Sequence, residues 1–95
     1  MMQTEYEFTL PRGYIDETGQ VYQNGRMRLA LSIDEVQTMN DARVQANEAY
    51  LPILLLSRVI TQLGSITAVT PHMLERMFAS DMAYLQALYM RAQQR

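Results

Sequence analysis

Residues 20–35, QVYQNGRMRLALSIDE, contain the change of period that decides the fold. Up to Leu31 apolar and polar side chains alternate as in a half-buried strand, with Tyr22, Met27, Leu29 and Leu31 on one side and Val21, Arg26 and Arg28 on the other. Asn24-Gly25 is a two-residue hairpin signal, because both central positions of such a turn need positive φ. That predicts strands over residues 20–23 and 26–31, with Tyr22 facing Met27. At Ser32 the alternation stops. Ser32-Ile33-Asp34-Glu35 has the spacing of a capping box, in which the hydroxyl and the carboxylate three residues later satisfy free amides at a helix start.

Working toward the N-terminus, Tyr6, Phe8 and Leu10 alternate with Glu5, Glu7 and Thr9, which predicts a first strand over residues 5–10. Pro11 and Gly13 interrupt it, and Asp16-Glu17-Thr18-Gly19 reads as a tight turn. Toward the C-terminus, a short helix runs from residue 32 to residue 40. Residues 40–47 are polar without a sustained period and read as a connector carrying one helical turn. Three further helical stretches follow. Residues 51–63 close on Gly64 as a C-terminal cap, with Pro52 in the first turn; residues 70–79 open with Thr70 as N-cap and Pro71 at the first position; a last helix opens at Ser80 or Asp81 and ends near residue 92.

The expected fold class is therefore α+β, a small three-stranded antiparallel β-sheet followed by three to four α-helices. It forms a single domain over residues 1–95, with a β-meander at 5–31, a short helix and connector at 32–47 and a helical part at 48–93. Leu55, Leu56, Val59, Ile60, Leu74, Phe78, Leu85 and Leu88 are expected at the centre of the core.

Ninety-five residues of 11.0 kDa suffice for one modest core, since area scaling leaves about 5,600 Å² exposed out of about 16,000 Å² in the unfolded chain. Cysteine is absent, so neither a disulfide framework nor a thiolate metal cluster is available. The net charge of −2 is split: Glu5, Glu7, Asp16 and Glu17 outnumber Arg12 in the first 25 residues, while four arginines outnumber Glu75 and Asp81 from residue 51 on. A dipole of that size is too weak for a phosphate-binding surface, so no nucleic acid is expected as a partner. The apolar run of residues 51–63 contains Arg58 and falls short of the roughly 20 residues a bilayer requires. No membrane partner is expected, and the location is expected to be cytoplasmic.

The chemistry-bearing residues are sparse. His72, the single histidine, lies just inside a predicted helix start. Ser32, Ser57, Ser65 and Ser80 lack the glycine-flanked context of a nucleophile elbow. The pairs Asp16-Glu17 and Asp34-Glu35 sit in a turn and in a first helical turn, where carboxylates serve solubility and the helix dipole. No calcium loop, phosphate-cradling glycine loop or dinucleotide fingerprint is present. A helix-turn-helix over residues 51–79 would place Pro71, His72, Met73 and Leu74 where a DNA-reading helix offers Arg, Asn or Gln. No catalysis, cofactor or metal is expected.

The informative features are apolar surfaces. On a helical wheel of residues 51–63, Leu55, Leu56, Val59, Ile60 and Leu63 form one stripe, while Leu51 and Leu54 fall on the polar arc. Either the sheet buries the helix start on all sides, or the two leucines form a contact surface for another chain. In the last helix Tyr84, Leu85, Leu88, Tyr89 and Ala92 form a wide stripe, with Met90 outside it near Gln86. Four of the eight methionines lie between residues 73 and 90, and such flexible side chains suit a surface that accepts varied apolar partners. The expected partner surface comprises Leu51, Leu54, Met82, Tyr89 and Met90, with Arg58 and Arg91 as rim charges.

Over residues 8–92 the strings FTLPRGYIDETGQVYQNGRMRLA and YLPILLLSRVITQLGSITAVTPHMLERMFASDMAYLQALY resemble the small tail-assembly proteins encoded with contractile phage tails, prophages and phage-derived injection systems. The features that carry the resemblance are the leucine-rich helix ending in Leu63-Gly64, the loop and short helix after it, and the amphipathic helix led by Asp81. The resemblance implies a non-catalytic tail-assembly chaperone that covers apolar helical segments of the tape-measure protein while tube subunits assemble. It also implies contact with the tail tube protein and no catalytic residues, while the marginal size of the chain favours self-association into a homo-oligomer. The alternative is a permanent structural adaptor or capping component of the particle.

Overall fold

The computed structural model describes residues 2–94. In chain order the elements are β1 (Glu5–Ile15), β2 (Val21–Arg28), α1 (Ser32–Met39), α2 (Ala42–Ala46), a 3-10 turn (Glu48–Tyr50), α3 (Leu51–Val59), β3 (Ile60–Leu63), α4 (Pro71–Glu75) and α5 (Ala79–Gln93). The three strands form one antiparallel sheet in the order β1-β2-β3, so the α+β class holds.

The sheet departs from expectation in three places: β1 runs on past residue 10, through Pro11 and Gly13, to Ile15, and two further differences have a local cause. The hairpin does not form at Asn24-Gly25, which lies inside β2. The reversal is at residues 16–20, where the Asp16 carboxylate accepts from the Thr18 amide (2.9 Å), the Thr18 hydroxyl (2.7 Å) and the Gln20 amide (3.0 Å). An aspartate that knits its own turn in this way outcompetes a bare Asn-Gly dipeptide. Gly25 serves close approach instead: it pairs with Phe8 on one side and Leu63 on the other, and a Cβ there would collide with the Phe8 ring and the Gln62 carbonyl.

The third strand comes from the end of the predicted 51–63 helix, not from residues 26–31. Val59-Ile60-Thr61 is a β-branched run, poor in a helix and favoured in a strand. The helix stops at Val59 and the chain turns extended at Ile60 (φ −78°, ψ 113°) to pair with β2 through Met27↔Ile60 and Gly25↔Leu63. Gly64 accordingly ends a strand rather than capping a helix.

β1 carries a wide bulge: the register runs from Glu5↔Arg28 to Thr9↔Asn24, then resumes at Tyr14↔Tyr22, leaving residues 10–13 opposite Gln23 alone. The first turn of α5 closes that bulge. The buried Asp81 carboxylate accepts the Arg12 and Gly13 amides, each at 2.9 Å, and the Tyr84 hydroxyl accepts the Thr9 amide at 3.3 Å. This anchors α5 along β1 and satisfies backbone donors that the bulge withdraws from the sheet.

The core between sheet and helices contains Phe8, Leu10 and Tyr14 of β1, Met27 of β2, Leu55, Leu56 and Val59 of α3, Ile60 and Leu63 of β3, Leu74 of α4, and Leu85 and Tyr89 of α5. Each fully buried aliphatic side chain contributes about 1.5–3 kcal/mol. Of the predicted core, Leu88 is partly buried, and Phe78 is exposed because the chain is still extended there as the N-cap of α5. Thr70 caps α4 as expected, its hydroxyl accepting the Met73 amide, but that helix ends at Glu75. The chain exposes 6164 Å², about a tenth more than the roughly 5,600 Å² expected for its mass.

Candidate partner-binding groove

An open, largely apolar hollow lies where α1, α3 and α5 meet. A hollow of about 290 Å³ is lined by Leu51, Pro52, Leu55 and Leu56 from α3 and by Gln86, Tyr89 and Met90 from α5. Leu51 and Leu55 also line a hollow of about 200 Å³ with Glu35, Thr38 and Met39 of α1. Leu51, Pro52 and Met39 line a third, of about 420 Å³, with Val44, Gln45 and Glu48. Leu51 belongs to all three, so they form one groove that starts at Met90 and ends at Glu48.

Two polar arrangements hold its walls. Tyr89 is buried to the tip, and its hydroxyl donates to Glu35 Oε2 at 2.9 Å, tying α5 to α1 across the floor. Burial first, and the Glu35 carboxylate second, push the Tyr89 phenol up to about 12. On the far side of α1, Asp34 is buried and accepts two bonds from the Arg28 guanidinium (2.8 and 2.9 Å), one from Arg58 Nε (3.1 Å) and one from the Leu31 amide (2.7 Å). The Arg28 hydrogen bonds, ahead of the Leu31 amide and Arg58, hold the Asp34 carboxyl well below the usual carboxylate range. The cluster joins α1 to β2 and to the last turn of α3. Asp34 is thus a packing hub and not a solvating charge, and the helix-start cap sits one residue earlier than predicted, at Leu31 with Asp34 as its carboxylate.

Of the expected partner surface, the structure brings together Leu51, Tyr89 and Met90. Leu51 is half-buried and Met90 is 57% exposed, while Tyr89 presents only its side to the groove. Leu54 is corrected: it is 4% exposed, facing the cleft of Thr38, Gln37 and Pro71 between α1 and α4, because those two elements flank α3 on its supposed polar arc. Arg58 is no free rim charge, since Asp34 and the Gln37 side chain hold it. Met82 packs partly buried against the core at the other end of α5, and Arg91 is exposed beside Met90 without lining the groove. Sequence reasoning missed Pro52, Leu55 and Met39 as lining residues. Met39 was legible from the spacing Ile33, Val36, Met39 on the short helix.

Thr38 lines the groove but is 2% exposed, and its buried hydroxyl has no hydrogen-bond partner among the described residues. His72 is exposed in the first turn of α4. Among the described residues no group of three or more His, Cys, Asp or Glu is placed to hold a metal ion, and no helix is long and apolar enough to cross a membrane. Compared with known proteins, the chain matches no family model, no curated protein and no solved structure. What the fold and the groove define is a small α+β chain with an open apolar cleft between three helices.

Proposed function

We propose that this chain is a non-catalytic binding protein that shelters an apolar helical segment of another protein in the α1-α3-α5 groove. The observation that supports this reading is the groove itself: Leu51, Leu55, Pro52, Met39 and Met90 converge on a cleft their own chain leaves open. An apolar helix laid into such a cleft gains burial at several successive turns, the usual helix-in-groove mode. Two methionines on its walls, Met39 and Met90, suit a site that adapts to differing side chains.

With the resemblance of residues 8–92 to contractile-tail assembly proteins, the reading becomes specific. The partner is the tape-measure protein, covered in the cytoplasm while the tail tube grows. Co-expression with a tape-measure protein tests it: solubility of the long chain should rise with the wild-type protein and fall back with Met90→Asp, whose melting temperature should stay unchanged because Met90 is exposed. Equal rescue by that variant, or none by the wild type, refutes the reading. A permanent adaptor would instead be found at fixed stoichiometry in purified particles.

A further inference from the structure

α1 is folded inside out. Its two buried residues, Asp34 and Thr38, are polar, whereas Ile33, Val36 and Met39 on the opposite arc are 50%, 52% and 57% exposed, and Leu31 just before the helix is 64% exposed. α1 contributes no side chain to the apolar core. The helix is therefore docked by its ion-pair cluster, and its apolar face is left outward.

We propose that this face is where a second copy of the chain docks, α1 against α1 about a two-fold axis. In such an isologous contact every group near the axis meets its own duplicate, so a charge there would face a like charge. The outward arc itself has none: the remaining positions are Ser32, Asn40 and Gln37, and the charges nearest it, Glu35 beside Met39 and Arg58 on Gln37, lie at its margins. Both charges of the helix are engaged elsewhere, Asp34 with Arg28 and Arg58 and Glu35 with Tyr89. The face is also preset, because the Asp34 cluster fixes α1 before any partner arrives and little ordering cost is added on docking.

Area sets the strength. Four half-open apolar side chains leave on the order of 400 Å² per copy, within the range of the largest functional patches on monomers. Two such faces with their polar margins bury about 1,000–1,200 Å² in total, the lower end for a specific contact. A contact at that lower end is weak and reversible. The face shares only Met39 with the groove, so the proposal does not rest on what the groove binds.

Sedimentation velocity of the full chain from about 1 to about 500 µM tests it, with dimer expected to accumulate over that range. Val36→Ser should weaken association roughly tenfold or more without lowering the melting temperature, while Met90→Asp should leave it unchanged. Independently of any variant, amide NMR shifts of the wild type should move on dilution at residues 31–40 and not in α5. A wild type that stays monomeric, a Val36→Ser protein that associates as before, or dilution shifts confined to the groove would overturn the proposal. So would a Val36→Ser protein that keeps its dimer and loses capture of an apolar helical peptide.

Discussion

The carboxylate of Asp81 and the backbone amide of Gly13 meet at 2.9 Å across 68 residues of sequence, with no water access to the side chain. Together with the Arg12 amide, this bond makes the first turn of α5 the closure of the β1 bulge. Asp81 lies where a helix dipole favours a negative charge, so one residue complements the dipole and serves as a tertiary anchor.

Asp81→Ala should therefore cost about 3–5 kcal/mol, since two buried backbone donors lose their acceptor at once. Asp81→Asn keeps one acceptor oxygen and should lose about half as much. Urea unfolding at neutral pH measures both. A loss below about 1 kcal/mol for the alanine variant would mean that water or another group replaces the carboxylate.

Asp34 gives the fold an acid limit. Its carboxyl is held below the ordinary range in the folded chain, chiefly by Arg28, so the stabilisation is complete above the unfolded pKa and is lost as pH falls toward the folded one. Stability should decline progressively from about pH 5 downward. Asp34→Asn should flatten that limb and cost about 3 kcal/mol at pH 7, where it leaves two guanidinium groups without their carboxylate. Chemical denaturation across the acid range tests the slope. An unchanged acid limb in the variant would assign it to other carboxylates.

How much of this was legible in the sequence follows from how far each cause lies along the chain. The alternation of Tyr6, Phe8 and Leu10, the Thr70-Pro71 helix start and the turn at residues 16–19 depend on neighbours, and they appear where local chemistry puts them. β3 was hidden inside an apolar run in which helix and strand share the same composition, and only the β-branched Val59-Ile60-Thr61 marked the change. The inverted α1 was not legible, because Asp34 turns inward toward Arg58, 24 residues later. Within the groove, Leu51 and Met90 stood out on the wheels because their surroundings are local. The burial of Leu54 depends on α1 and α4, which no single-helix pattern reveals.

Tyr89 supplies a spectroscopic reporter of the groove. Its phenol, pushed up to about 12 by burial and then by Glu35, should ionise late on alkaline titration. A phenol whose folded pKa is raised stabilises the fold fully below its unfolded value of about 10 and loses that contribution as pH rises through about 12. Phenolate absorbance on alkaline titration should show one late step, absent from Tyr89→Phe. Addition of a groove-binding apolar peptide should delay that step further, since it removes more water from the ring. A titration in which the Phe variant retains the late step would place the perturbed phenol elsewhere.

Thr38 separates stability from binding at one atom. Its hydroxyl is buried without a partner among the described residues, a condition that costs on the order of 1–3 kcal/mol against an apolar group of the same shape. Thr38→Val removes that hydroxyl and should raise stability by about 1 kcal/mol, read from the urea midpoint at unchanged slope. Thr38 lines the groove beside Leu55 and Met39, but its hydroxyl is shut off from the surface, so a seated helix meets the rest of the side chain and not the hydroxyl. The variant should therefore bind an apolar helical peptide as tightly as the wild type while melting higher, a combination that generalised damage to the fold cannot produce. Weaker binding by the variant would show instead that a seated helix reaches the hydroxyl.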